Sequence, residues 1–362
     1  MVVTRSSLSA RVWGFCDLTG GFRAVAGLSV GAHSIGGMEQ RVLGRTGRAV
    51  SVVGLGTWQL GADWGEVGEE QALAVLSAAA EAGVTFFDTA DVYGDGRSEQ
   101  IIGRFLRDHP DVFVATKMGR RAPLDPDEYT LDNFRAWTDR SRANLGVDTL
   151  DLVQLHCPPT PVYSRDAVYD ALDALVAEKR IAAYGVSVET CDEALTAIAR
   201  PGTASVQIIL NPFRLKPLER VLPAAAEAGV GIIARVPLAS GLLSGRYTKE
   251  TVFAANDHRT FNRHGEAFDQ GETFSGVDYA TGVEAAAEFS SLAPAGATPA
   301  QTALRWIIQQ PGVTSVIPGA RSPEQARANA AAAGLEPLPQ PTLEAVRELY
   351  DRRIRAQVHD RW

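Results

Sequence analysis

Between residues 50 and 319 the chain alternates two kinds of segment, and that alternation constrains its fold more than any other feature. One kind is short and rich in apolar or β-branched residues: "VSVVGLG" (50–56), "VTFFDTA" (84–90), "DVFVATKM" (111–118), "LDLVQLHC" (150–157), "AAYGVSV" (182–188), "ASVQIIL" (204–210), "VGIIARV" (230–236) and "VTSVIPG" (313–319). Nearly continuous apolar runs of this length read as parallel strands covered on both faces. The other kind is longer, Ala-rich and amphipathic. "GEEQALAVLSAAAEAG" spaces its apolar residues three and four apart and stops at Gly83, a C-cap residue. "RDAVYDALDALVAEKR" ends in Lys179 and Arg180, cations suited to a helix C-terminus. "PLERVLPAAAEAG" and "SPEQARANAAAAG" follow, the latter with Ser322 as N-cap and Pro323 as first helical residue. Eight strand–helix units in one chain predict an α/β fold of the (β/α)8 TIM barrel type. A doubly wound open sheet is the alternative, but it calls for a Gly-rich phosphate loop after the first strand. "GLGTWQLG" (54–61) does not have that spacing.

Outside the eight units the pattern weakens. "QRVLGRTGRAVS" reads as a β-hairpin turning near Arg45–Gly47 that closes the bottom of the barrel. Residues 241–276 have little periodicity and many polar groups, so they are expected to form a long loop over the C-terminal mouth, with a helix beginning near Tyr279. Residues 1–37 have no sustained period and no uninterrupted apolar core of a secretory signal. They are expected to be a disordered extension or a misassigned start with Met38 as the natural one, a transit or tether role being the competing reading. No Pro- or Ser-rich linker divides residues 38–362, so these are expected to form a single domain. The net charge of −8 argues against nucleic acid or an anionic membrane as partner, and no apolar run reaches the length of a membrane helix. Three cysteines, Cys16, Cys157 and Cys191, lack metal-ligand spacing; the odd count fits a reducing cytoplasm.

In a (β/α)8 barrel the reacting groups sit at the C-terminal ends of the strands. The second strand ends at Asp88 with Tyr93 just beyond it, the third at Lys117 and the fourth at His156. Alone, each is commonplace: a turn former, a loop anchor, a solvated charge, a structural imidazole. Together they come from neighbouring strands about 5 Å apart at one mouth, and they suggest proton transfer to a carbonyl oxygen. A nearby ammonium stabilises a phenolate and lowers the pKa of Tyr93. Asp88 supplies the counter-charge that Lys117 needs when buried, and His156 polarises the carbonyl. A Schiff-base role for Lys117 would need a neutral amine, which the adjacent Asp88 disfavours.

With these residues in place, the chain resembles the aldo-keto reductase superfamily over nearly all of residues 39–362. The likeness rests on "GLGTWQLG", "FFDTADVYG", "ATKMG", "VQLHCP", "GVSV", "VQIILNPF", "ARVPLASGLLSGR" and "IPGARSPEQARAN", in that order. The resemblance implies NADPH lying across the C-terminal mouth, with NADH as the alternative cofactor, and hydride transfer to a small-molecule aldehyde or ketone. Tyr93 matches the proton donor, Asp88 and Lys117 its supporters, and His156 the carbonyl-orienting group. Gly56, Thr57 and Trp58 match the first-strand loop at the nicotinamide end; Ser187 and Gln207 match the residues that bind the carboxamide. Leu238, Ser240 and Gly241 match the turn around the pyrophosphate, with Arg246 beside it. Gly319, Arg321, Gln325 and Asn329 match the site of the adenosine and its 2′-phosphate. Trp58 and Trp64, with Tyr93 and His156, are candidates for the substrate pocket, and the loop 241–276 and the tail "AQVHDRW" for its remaining walls.

Two positions depart from the family pattern. Val188 stands where many members have a carboxamide-binding Asn, and Arg235 where an aromatic ring commonly lies under the nicotinamide. A stacked guanidinium would favour the reduced cofactor over its oxidised cation. The resulting expectation is a cytoplasmic NADPH-dependent carbonyl reductase. The alternatives are an alcohol or sugar dehydrogenase and a cofactor-binding regulatory subunit of the same fold; the oligomeric state stays open.

Overall fold

The computed structural model describes residues 33–35, 37–61 and 67–362. The expectation for residues 1–37 falls almost wholly outside the described residues, and so does Trp64. Three short strands open the fold: β1 (His33–Ile35), β2 (Met38–Val42) and β3 (Ala49–Ser51) form an antiparallel sheet in that order. The turn between β2 and β3 passes through a single 3-10 turn, Gly44–Thr46, and closes at Gly47 with φ +67°. The hairpin therefore turns where the sequence places it.

Eight strands follow: β4 (Leu55–Gly56), β5 (Phe86–Asp88), β6 (Phe113–Met118), β7 (Leu152–His156), β8 (Tyr184–Ser187), β9 (Thr203–Ile209), β10 (Gly231–Arg235) and β11 (Val313–Val316). Each lies within one of the eight apolar runs or overlaps it. They pair in parallel in sequence order, and the bridges Val53–Val316 and Gly56–Gly319 join the first to the last. This closes the (β/α)8 barrel. The covering helices are α1 (Glu69–Glu81), α2 (Arg97–Leu106), α3 (Leu131–Leu145), α4 (Asp166–Ala177), α5 (Cys191–Ile198) and α6 (Val221–Ala228). Then come the one-turn α7 (His258–Phe261), α8 (Tyr279–Ser290), α9 (Pro299–Gln309), α10 (Pro323–Ala331) and α11 (Gln340–Leu349). The Ser322 hydroxyl caps α10 by accepting from the Gln325 N–H at 3.3 Å, with Pro323 in the first turn, as its sequence predicts.

The period of two along each strand sorts the barrel interior into levels. Phe86, Phe113, Ala115, Leu152, Ile233 and Ile317 form an apolar cluster with Leu43 and Val50 of the hairpin. The larger apolar core contains residues of both strands and covering helices. One step further along the same strands stand Asp88, Lys117, Gln154 and Arg235, all buried and all polar. A polar level is thus stacked on an apolar one, and it forms the floor of the C-terminal mouth. At the other end the hairpin seals the barrel: Arg45 donates to the carbonyls of Thr203 (2.8 Å), Ala228 (2.7 Å) and Arg200 (3.1 Å).

Candidate active site

Asp88 and Lys117 come from adjacent strands and meet inside the barrel, each under 4% exposed. The Lys117 ammonium donates to Asp88 Oδ1, to the Thr89 carbonyl at 2.9 Å and to Tyr93 Oη at 3.4 Å. Its three N–H bonds therefore each have a partner. Asp88 Oδ2 accepts from the side-chain amides of Gln154 (3.0 Å) and Gln207 (2.8 Å). A buried ion pair is tolerable only when its remaining polar valences are met, and these two glutamines meet them. Thr57 fixes the backbone beside it, its hydroxyl donating to the Asp88 carbonyl at 2.9 Å.

Because Tyr93 Oη accepts from Lys117, its own O–H hydrogen is directed elsewhere. Burial raises the Tyr93 pKa and outweighs the lowering by Lys117, with Asp88 adding to the rise. Lys117 does pull the phenol down, as the sequence reading has it, but burial sets the net direction upward. Burial pulls Lys117 down, but Asp88 and Tyr93 together move it above its ordinary value, so it stays charged. The His156 ring stands edge-on to Tyr93 at 5.9 Å between centroids. Burial and the cations Arg120, Lys117 and Arg235 hold its pKa well below normal. A neutral imidazole keeps one N–H to donate.

These groups lie at one end of a cleft of about 500 Å³. Its walls include Gly56, Thr57, Trp58, Asp88, Tyr93, His156, Ser187, Gln207, Arg235, Leu238, Ser240, Gly241, Arg246, Gly319, Arg321, Gln325 and Asn329. All the sequence-derived positions other than Lys117, which lies beneath them, and Trp64 are brought together there. Details differ from expectation. The Gln207 amide nitrogen serves Asp88 and the Gln154 carbonyl (3.0 Å), which leaves its oxygen as the acceptor. The Gln325 side chain accepts from the Arg321 N–H (2.8 Å), and Asn329 donates to the Gly319 carbonyl (3.1 Å), so both brace the loop that presents Arg321. The Val188 side chain is fully buried, and its carbonyl accepts from Arg235 at 2.9 Å.

Arg235 is the largest departure. It is held by Glu189 (3.1 Å) and lies 3.8 Å from Glu272. Arg120 bonds the same two carboxylates at 3.2 and 2.8 Å. The guanidinium is one member of a buried ring of four charges. The strand-end rule that found Asp88 and Lys117 also points to Glu189, directly after its strand run, and to Arg120, two residues after its own. Glu272 lies in the long segment and carries no local signal. The loop 241–276 does line the cleft, through Tyr247, His258, Arg259 and Glu272, though the sequence did not single these residues out; Phe268 of the same loop meets the Trp58 ring edge-on at 5.9 Å. Gln59 on the cleft wall was missed. The tail does not serve as a cleft wall. Trp362 instead docks on the long segment, its indole donating to Asp269 at 2.9 Å.

Comparisons with known proteins agree on one family for this barrel. The model of the aldo/keto reductase family matches residues 52–351, and the chain belongs to that family. Among its relatives is the aldo-keto reductase yakc [NADP(+)] of Schizosaccharomyces pombe, 29% identical over 315 residues, covering 83% of this chain and 89% of that one. Among solved structures, aldo-keto reductase AKR11C1 from Bacillus halodurans in its holo form superposes with a TM-score of 0.70 at 25% identity, over 86% of this chain and 96% of the other. An aldo-keto reductase from Klebsiella pneumoniae in complex with NADPH gives 0.65 at 26% identity, over 85% and 94%.

Proposed function

We propose that this chain is an NADPH-dependent oxidoreductase that reduces an aldehyde or ketone to an alcohol, with Tyr93 as proton donor. The observation that carries the reading is the Lys117 ammonium, clamped by Asp88 and 3.4 Å from Tyr93 Oη, beside a neutral His156.

The cleft fits a dinucleotide. At one end the Gln207 oxygen and Ser187 suit a carboxamide. At Gly56 a Cβ would meet the Ile317 carbonyl at 2.9 Å, so the wall there is bare backbone. The turn after β10 holds Ala239 and Ser240 at φ +48° and +55°, a strained conformation of the kind found at ligand clamps, and Gly241 at +94°, which a glycine adopts freely. At the far end Arg321 precedes the capped N-terminus of α10, where free N–H groups and a planar cation suit a phosphate. NADPH, when bound, supplies the hydride.

The chain's own residues handle the oxygen. His156 and Tyr93 both hydrogen-bond the carbonyl oxygen and polarise it as charge develops there. Tyr93 gives up its proton to that oxygen. Lys117, unable to leave because Asp88 and the Thr89 carbonyl hold it, stabilises the phenolate that remains. Trp58, stacked 6.1 Å from Tyr93 at 21°, forms an apolar wall that excludes water from the proton transfer.

Stopped-flow oxidation of bound NADPH with a panel of aldehydes, diones and sugars tests this. Wild type is expected to turn over at least one class. Tyr93→Phe should lose about 100-fold or more in the chemical step while its NADPH affinity stays within a few-fold. Full activity in Tyr93→Phe would remove the tyrosine from its role. Binding without oxidation across the panel would favour a cofactor-binding role alone.

A further inference from the structure

We propose that Glu272 and Glu189 are specificity-determining residues that set which oxidation state of the cofactor the site prefers, by balancing the charge of Arg235 and Arg120 at the nicotinamide end. The inference rests on the NADPH reading above.

Arg235 ends β10 and lines the cleft with Tyr93, Ser187 and Gln207, the groups assigned to the nicotinamide. Alone it would place a full positive charge there. The reduced nicotinamide is neutral and the oxidised ring carries one positive charge, while the rest of the molecule is the same in both. A lone Arg235 would therefore penalise the oxidised form selectively. The ring removes that bias. Glu189 accepts from Arg235 with one oxygen (3.1 Å) and from Arg120 with the other (3.2 Å). Glu272 accepts from Arg120 at 2.8 Å and sits 3.8 Å from Arg235. Arg120 and Arg235 hold Glu272 ionised, well below the usual carboxylate range, whereas burial pushes Glu189 up to about 7. Above that pH both carboxylates are charged, and with the two guanidiniums they sum to zero. Every member is at most one-fifth exposed, so solvent screens the ring only weakly.

The same carboxylates with the Cys157 thiol have their ligand atoms within 4.8 Å of one another, a spacing that a cation could use. Here those oxygens already accept guanidinium N–H bonds, and Arg235 Nη2 lies 3.6 Å from Cys157 Sγ. Charge balance, not metal binding, is what this geometry serves. Glu272 also has a second attachment: its carbonyl accepts from the Ser240 hydroxyl at 3.1 Å. Ser240 belongs to the turn assigned to the pyrophosphate, so a change at Glu272 can act by charge or by loosening that turn. The test has to separate the two.

Dissociation constants for NADPH and NADP⁺ are measured at about pH 8.5, where Glu189 is ionised, by fluorescence titration and competition on wild type, Glu272→Gln, Glu189→Gln and Arg235→Met, with a thermal melt on each. Glutamine keeps the shape and removes one negative charge. The ratio Kd(NADP⁺)/Kd(NADPH) is expected to rise about tenfold in both Glu→Gln variants, equivalent to about 1.4 kcal/mol, and to fall below wild type in Arg235→Met. If the ratio stays at the wild-type value in Glu189→Gln and Arg235→Met, the proposal is overturned, even where both constants weaken together. Glu189 lies on a different element from Glu272, so the test survives if Glu272→Gln fails to fold. Wild type that binds neither cofactor would instead defeat the reading on which the inference rests.

Discussion

Asp91 sits three residues past the buried pair and has the opposite circumstances. It is fully buried, and no side chain hydrogen-bonds either of its carboxylate oxygens among the described residues. Burial, helped by Glu99, pushes its pKa up to about 7 against the pull of Arg121, Arg140 and the Val92 N–H. The folded chain therefore binds a proton that the unfolded chain releases near pH 4. Stability should fall as pH rises from about 4 to 7 and stay reduced above that, by on the order of 2–4 kcal/mol. Asp91→Asn removes the titration. Its melting temperature is expected to exceed wild type's at pH 8, with the gap closing toward pH 5; a gap that does not change with pH would count against the buried charge as its cause. The contrast with Asp88 shows what was legible at this scale. Asp88, Lys117 and His156 end strand runs, and Tyr93 follows one closely, so position alone flagged them. Gln154 and Asp91 lie inside or beside those runs with no local mark, and only the folded packing distinguishes the satisfied carboxylate from the unsatisfied one.

At the scale of elements, strands and capped helices were readable because their signals are local: β-branched runs, a Ser-Pro helix start, a Gly stop. The segment 241–276 was not, because it is held by side-chain pairs without a helix or strand period and by residues from the far end of the chain. Asp257 pairs with Arg259, and the guanidinium of Arg259 lies over Phe253 at 4.3 Å. From the far end of the chain, Trp362 packs against Gly271 and Gly276, where an added Cβ would meet its ring at 3.0 and 2.3 Å. Arg214 covers the same ring at 4.0 Å. Those glycines are the imprint of the indole, and Glu272 lies between them. Trp362→Ala should therefore free this stretch without touching Asp88, Lys117 or Tyr93. The expected outcome is NADPH affinity weaker by roughly tenfold, from lost preorganisation of the Ser240 turn, with a smaller change in single-turnover reduction at saturating cofactor. An unchanged affinity would show that the segment holds its place without the indole.

Taken whole, the molecule divides its labour along the barrel axis, and the bottom can be changed while the top is watched. The hairpin enters the N-terminal end through Gly44, at φ +47°, where a Cβ would stand 2.2 Å from the Ala204 carbonyl oxygen and 2.2 Å from the Gly231 nitrogen. No side chain fits between those backbones, and the neighbouring Leu43 fills the apolar level beneath the active-site floor. Arg45 holds the same hairpin only by hydrogen bonds to three rim carbonyls, in a half-wet position where each contributes modestly. Gly44→Ala must push the hairpin out, and with it Leu43; Arg45→Ala loosens the rim but leaves the plug seated. Chemical denaturation is expected to show a loss of about 2 kcal/mol or more for Gly44→Ala, from left-handed strain plus the clash. Arg45→Ala should lose about 1–2 kcal/mol. Active-site groups in such barrels belong to the opposite face, so Arg45→Ala should retain wild-type NADPH affinity and turnover per folded molecule at a temperature well below its melt. A matched drop in turnover would mean that the hairpin reaches the polar level through Leu43 and Phe86, and that the two ends are not independent.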